Sequence, residues 1–352
     1  MSLDNRINAF IKLGKFLNQF SSENIQKKEN IQHNDLFFET FKNQIKLAKE
    51  HNGWFTKDNI SLTFNEWSNA LTNSNINTWI EKYHININKP KRVAVIMAGN
   101  IPLVGFHDFI SVLISGHHVI VKQSSNDKQL LPFIAKYLEY IEPEFKGKIA
   151  FIEGKLENFD AVIATGSDNT ARYFEYYFKD KPSIIRQNRN SVAILTNNES
   201  EEQLKMLSED IFRYYGLGCR NVSKLFVPKG YDFDVFFNAI HHWHPIINGA
   251  KYANNYDYNK AVYLMSEFDI LENGFLMIKE DSNYSSPIAT LFYEYYENIE
   301  HLNDILELNK DKIQCIVSKE LTKNEIAFGQ TQKPKLWDYA DNIDTIDFLL
   351  RI

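Results

Sequence analysis

The stretch Val93-Ala94-Val95-Ile96-Met97-Ala98-Gly99-Asn100-Ile101-Pro102 decides the fold class. Residues 93–97 are apolar without alternation, the pattern of a strand covered on both faces, and the β-branched Val93, Val95 and Ile96 favour extended backbone. Gly99-Asn100 and Pro102 then turn the chain, and residues 103–115 carry the longer apolar pattern of a helix. The unit repeats. Val119-Ile120-Val121-Lys122 is a second strand, and Ser124-Ser125-Asn126-Asp127 leads into a helix over 128–140. Ile149-Ala150-Phe151-Ile152 is a third strand; Ala161-Val162-Ile163-Ala164 is a fourth, ending in Thr165-Gly166-Ser167 before a helix through 178. Strand, turn and helix in this order give right-handed crossovers and a parallel sheet with helices on both faces. The class is α/β with a Rossmann-like unit, although the Gly-x-Gly-x-x-Gly dinucleotide fingerprint is absent.

Toward the N-terminus, residues 1–90 read as mainly helical. Ile7, Phe10, Ile11, Phe16, Leu17 and Phe20 recur near the helical period, Asn34-Asp35 open a helix through 48, and Thr63 with Glu66 matches a capping box. Trp54, Phe55, Trp67, Trp79 and Tyr83 read as the core of this cap. Toward the C-terminus, Val192-Ala193-Ile194-Leu195 closes the cofactor domain and a helix over 199–214 follows. Helices over 232–241 and 301–308 then alternate with strands over 275–278, 289–295 and 313–317, which makes a second α/β domain. The expected division is a helical segment 1–90, a Rossmann-like cofactor-binding domain 91–197, a catalytic α/β domain 198–328 and a return segment 329–352 that docks elsewhere on the fold or on a second subunit.

The composition narrows the function classes. A chain of 352 residues, 44% hydrophobic and 24% charged, has material for two or three cores. A net charge of -6 and a pI near 6.0 give no general attraction to nucleic acid or an anionic membrane, so any phosphate site must be local. The longest apolar region, 101–121, is interrupted by His107, Asp108, His117 and His118, which argues against a membrane span. Two cysteines make neither a disulfide framework nor a zinc spacing and fit a reduced compartment, so the expected location is cytoplasmic. The run His241-His242-Trp243-His244-Pro245 lacks nearby acids or cysteines at ligand spacing, and no metal is expected.

Four positions carry the chemistry. Asn100 follows the first strand and Lys122 ends the second, both on the carboxyl edge where open α/β sheets bind ligands. Thr165-Gly166-Ser167 ends another strand and opens a helix whose N-terminal N–H groups favour an anion. The fourth is Cys219 in Gly216-Leu217-Gly218-Cys219-Arg220-Asn221-Val222-Ser223, where a glycine bend leads the thiol into a strand. Singly each has an ordinary reading: a turn Asn, a solvated Lys, a helix cap and a core thiol.

In their order and spacing these motifs resemble the aldehyde dehydrogenase superfamily, which carries Asn-x-Pro after a strand, Lys at the end of the next, a Thr-Gly-Ser turn and a Gly-x-x-Cys loop. Residues 98–102, Val121-Lys122-Gln123-Ser124-Ser125 and 216–223 are similar, more narrowly, to the LuxC-like acyl-CoA reductases, a resemblance that spans roughly residues 90–350. It implies an aldehyde-dehydrogenase-like fold and an acyl-CoA thioester substrate. It further implies Cys219 as nucleophile, with the Asn100 side-chain amide and the Cys219 N–H stabilising the oxyanion. Hydride would come from a nicotinamide cofactor on the Rossmann-like unit, held by Lys122, Ser124, Ser125, Thr165, Gly166 and Ser167. The family's habit of assembling through terminal segments implies a homo-oligomer.

The departures sharpen this. Oxidising relatives carry a Glu that activates water, whereas Ile185-Arg186-Gln187-Asn188-Arg189-Asn190-Ser191 contains no acid, which hinders hydrolysis of an acyl-enzyme and leaves thiol exchange intact. Ser125 stands where NAD-preferring relatives often have a Glu on the adenosine ribose; without it a 2'-phosphate is not repelled, so NADPH is expected, with NADH as the alternative. Only Pro287 survives of the relatives' Glu-x-Phe-Gly-Pro ribose motif. A cysteine acyltransferase or thioesterase without hydride transfer, and a non-catalytic acyl-CoA or nucleotide-binding partner, remain as alternatives. Arg186 and Arg189 are candidates for phosphate or for a structural ion pair, Cys315 reads as core, and Gln330 and Gln332 as residues that approach the site from the tail.

Overall fold

Helices come first, as the apolar periodicity requires. The computed structural model describes residues 1–22, 24–86, 89–319, 321–322 and 325–352. Its first helices are α1 (Leu3–Leu17), α2 (Asn34–His51), α3 (Lys57–Ala70) and α4 (Asn73–Ile80). Ser2, Thr56 and Thr72 cap three of them, each accepting from a backbone N–H three residues on. Thr63 is not a cap. Its hydroxyl donates to Asn59 O at 2.9 Å inside α3, a bond to the preceding turn that the same Thr-x-x-Glu spelling permits.

The strands follow: β1 (Arg92–Ile96), α5 (Phe106–Ser115), β2 (His118–Lys122), α6 (Leu130–Ile141), β3 (Ile149–Phe151), β4 (Ala161–Thr165), α7 (Asp168–Phe178) and β5 (Ser183–Arg186). They form a parallel sheet in the order β3-β2-β1-β4-β5, with Val93 paired to Val119 on one side and Ala161 on the other. The N-terminal helices share one apolar core with α5 and α6; Phe16 stacks on Tyr137 at 4.0 Å and Trp67 meets Phe106 edge-on at 4.7 Å.

A second sheet contains β6 (Asn190–Ile194), then after α8 (Glu201–Phe212) β7 (Val222–Pro228), and after α9 (Phe233–Ile240) and α10 (Ala250–Met265) β8 (Ile270–Glu272), β9 (Met277–Glu280) and β10 (Thr290–Tyr296). Helix α11 (Ile299–Leu308) and β11 (Ile313–Val317) complete it. The order is β11-β6-β7-β10-β9-β8, parallel except for β8 against β9.

Two compact units result, Met1–Gln187 with Lys335–Ile352, and Asn188–Pro334. A boundary after 197 groups residues 192–195 with the first sheet; their pairing with β7 and β11 puts them in the second. An apolar run specifies a buried strand, not which sheet receives it. The helical segment 1–90 lies within the first unit, and the return segment is divided: residues 329–334 stay in the second unit and 335–352 rejoin the first. There α12 (Thr345–Arg351) packs on α5 with Ile346 and Leu349 buried, His117 Nε2 meets Leu349 O at 2.8 Å and Trp79 donates to Tyr339 Oη at 2.8 Å.

Candidate active site

In the first unit the strand order reverses at β1, so the carboxyl ends of β1 and β4 flank the crevice where such sheets take ligands. Gly99 is fixed by space: a Cβ there would lie 2.6 Å from Ser124 Cβ and 2.7 Å from its Oγ. Half-buried Asn100 follows in this pinched turn. Asp127 ties the two loops together, its carboxylate accepting from Leu103 N at 2.9 Å and its carbonyl from the Gln123 amide at 2.7 Å. Burial pushes this carboxyl up to about 6. Lys122 is paired with Ile96 at the strand edge, and its ammonium donates to Gly154 O at 3.0 Å beside the Lys128–Glu153 ion pair at 2.9 Å. Ser125 is exposed and holds His51 Nε2 on its carbonyl at 2.8 Å.

Thr165 closes β4 opposite Arg186, and Gly166 N donates to Arg186 O at 3.3 Å. Ser167 caps α7, accepting from Thr170 N at 3.4 Å. A Cβ on Gly166 would lie 3.0 Å from Thr170 Cβ, so the turn presses on its own helix. Lys122, Ser124, Ser125 and Thr165-Gly166-Ser167 therefore all belong to the carboxyl edge of one sheet. A lysine, a glycine turn filled by any side chain and a capped helix N-terminus suit a dinucleotide phosphate chain.

Cys219 lies in the second unit. After α8 the backbone runs left-handed through Tyr214, Tyr215 and Gly216, with φ of 53°, 59° and 73°, and only the glycine adopts this without steric cost. The loop is then gripped from both flanks. Asn221, buried, accepts from Gly218 N at 2.8 Å through Oδ1 and donates through Nδ2 to Asp210 O at 3.0 Å and Arg213 O at 2.8 Å. Ser191 Oγ donates to Cys219 O at 2.9 Å, and Arg220 Nε donates to Thr331 O at 2.6 Å. Cys219 itself is exposed, unlike a core thiol.

Ser191, Asp210, Asn221 and Thr331 were not singled out by sequence pattern. Asp210 had a signal: it shares the buried face of α8 with Leu207 and Ile211, where an apolar residue is expected. Of the weaker candidates, Arg186 is a buried ion-pair partner of Asp108 that also donates to Thr345 Oγ1 at 3.1 Å, and Arg189 Nη1 donates to Lys310 O at 3.4 Å. Cys315 is buried in β11. His242 bonds Ala239 O at 3.1 Å while His241 and His244 stack at 5.6 Å, and the described residues contain no group of three or more His, Cys, Asp or Glu able to hold a metal. The tail meets the cysteine loop through Thr331; the Gln332 amide donates to Thr331 Oγ1 at 3.2 Å. No helix among the described residues is long and apolar enough to cross a membrane.

Two α/β units, one a parallel sheet with a switch point and the other carrying an exposed cysteine before its central strand, define an aldehyde-dehydrogenase-like fold, and solved structures agree. The P. syringae indole-3-acetaldehyde dehydrogenase AldA, a mutant in complex with NAD+ and IAA, is 13% identical with a TM-score of 0.65, over 90% of this chain and 72% of that one. Aldehyde dehydrogenase 21 of Physcomitrella patens, in complex with succinate, is 12% identical with a TM-score of 0.64, over 90% and 73%. The NAD+ complex of a Bacillus cereus aldehyde dehydrogenase is 15% identical with a TM-score of 0.60, over 90% and 72%. A search of curated protein sequences found no match. The family profile of acyl-CoA reductase (LuxC) matches residues 15–236, and the chain belongs to that family.

Proposed function

We propose that the chain reduces an acyl-CoA thioester to an aldehyde with NADPH, through an acyl group carried on Cys219. The observation that carries this reading is an exposed cysteine on a loop held from both flanks, in a member of the acyl-CoA reductase family. The Cys219 thiolate attacks the carbonyl carbon, the carbon–sulfur bond to coenzyme A breaks, and coenzyme A leaves as its thiol after taking a proton. The side-chain amide of Asn100 and the N–H of Cys219 are the proposed donors to the oxyanion. NADPH, when bound, supplies hydride to the acyl carbon. The Cys219–carbon bond then breaks, the aldehyde leaves and the thiolate is restored, so one thioester, one NADPH and one proton give one aldehyde, NADP+ and coenzyme A.

Lys122, Ser124 and Ser125 are the proposed contacts for the 2'-phosphate, and Thr165-Gly166-Ser167 with the start of α7 for the pyrophosphate. NAD+ is bound in the P. syringae and B. cereus structures, and another structure of this fold is described as an E. coli NADP dependent enzyme, which supports a nicotinamide cofactor of either kind. The reduced thiol this chemistry needs suits the cytoplasm.

The test is NADPH oxidation with acyl-CoAs of graded chain length, read beside mass spectrometry of Cys219. Turnover with an acyl adduct is expected, and Cys219→Ser lowers turnover by at least about 10³-fold while NADPH still binds. Acyl exchange to a thiol without NADPH oxidation would instead make the protein an acyltransferase or thioesterase. Absence of both adduct and turnover would leave only a binding role. Lys122→Ala is expected to raise the KM for NADPH several-fold more than that for NADH.

A further inference from the structure

Asp210 is placed against two electrostatic costs. It is fully buried, and it stands in the last turn of α8, at the negative end of the helix dipole. Its described donors are neutral: Gly329 N at 2.6 Å, Thr331 N at 2.9 Å and Thr331 Oγ1 at 2.8 Å. These bonds fix residues 329–331 against α8, and the carbonyl of Thr331 so fixed accepts from Arg220 Nε at 2.6 Å, next to Cys219. The backbone carbonyl of the same Asp210 accepts from Asn221 Nδ2 at 3.0 Å, and Asn221 Oδ1 accepts from Gly218 N at 2.8 Å. One residue thus holds both flanks of the cysteine loop, one through its main chain and one through its side chain.

We propose that Asp210 is a positioning residue for the nucleophile, acting through Thr331 on Arg220 and through Asn221 on Gly218, so that the loop presents the Cys219 thiol in one geometry. The role rests on the reading of Cys219 as the acyl acceptor. Asparagine at 210 would turn an NH2 toward one of the three donors, so Asp210→Asn breaks the grip with almost no change of volume.

The experiment measures single-turnover acylation of Cys219 by an acyl-CoA in the full chain, by mass and by release of coenzyme A. Asp210→Asn and Arg220→Ala each slow acylation roughly 10- to 100-fold, since displacement of about 1 Å at a reacting atom has effects of this size. Arg220→Lys recovers part of the loss. The double variant is no slower than the worse single one, because both act along one connection. Alkylation of Cys219 by iodoacetamide keeps its pH midpoint throughout, which separates positioning from a change in thiol ionisation. Wild-type acylation rates in the variants, or multiplying effects in the double variant, would overturn the positioning role alone. No acyl adduct in the wild type would overturn the reading of Cys219 and the positioning role with it. If Asp210→Asn does not fold, Arg220→Ala and Arg220→Lys at their half-buried position decide the matter by the same rates.

Discussion

At the scale of single residues, the cofactor edge depends on space at 99 and charge at 127. A methyl group at Gly99 meets Ser124 at 2.6 Å, so Gly99→Ala is expected to cost about 1–3 kcal/mol and weaken NADPH binding. Ser124→Gly removes the obstructing atoms and should return most of the stability in the double variant; urea unfolding checks both. Burial holds the Asp127 carboxyl at about 6, above its ordinary 3.8. Between about pH 4 and 6 the native state therefore keeps a proton the unfolded chain has lost, and the stability linked to that proton falls as pH rises through this window. Asp127→Asn keeps an acceptor for Leu103 N and cannot ionise. Its unfolding free energy minus that of the wild type should rise by on the order of 2 kcal/mol from about pH 4.5 to 7. Tryptophan fluorescence reports the first unit, which contains Trp54, Trp67, Trp79 and Trp337; a difference that stays flat with pH would contradict the assignment.

At the scale of elements, a buried ion pair joins β5 to α5 and α12, through Arg186, Asp108 and Thr345. Arg186→Ala leaves Asp108 as a buried charge and is expected to cost about 3–5 kcal/mol, whereas Arg186→Met with Asp108→Leu should recover most of it. Urea unfolding measures the pair, and equal losses in both variants would argue that packing alone matters there. The same elements show what a linear pattern can reveal. Residues 93–97, 119–122 and 161–164 were legible as strands because both faces of a parallel sheet demand apolar side chains. Helix α10 was not, because only Tyr252, Tyr256 and Asn259 are buried along its length, too few for an apolar stripe. Cys219, Asn100 and Lys122 stood out by spacing, but the grip on the cysteine loop did not. It runs from Asp210 to Thr331, and no local period records a hydrogen bond between residues so far apart.

At the scale of the whole molecule, the chain leaves its first unit after Gln187, builds the second from Asn188 to Pro334 and returns. A return of the last residues was legible as a tail too short for a domain; its receiving surface was not, since His107, His117, Trp79 and Tyr83 read only as core or cap. In the structure His107 Nε2 meets Leu336 O at 2.8 Å, His117 Nε2 meets Leu349 O at 2.8 Å, and Tyr83 donates to Asp344 at 2.6 Å. Ile346 and Leu349 are fully buried, each contributing about 1.5–3 kcal/mol. A chain ending at Pro334 would expose that surface and leave both imidazoles without these partners. Its first unit should therefore lose stability far beyond the second, although every strand of both sheets is present. Hydrogen exchange separates the two units: amides of α5 should lose protection while those of β7 and β10 keep theirs. Retained protection in α5 would mean that the N-terminal helices and α6 suffice to hold the first sheet without the returning segment.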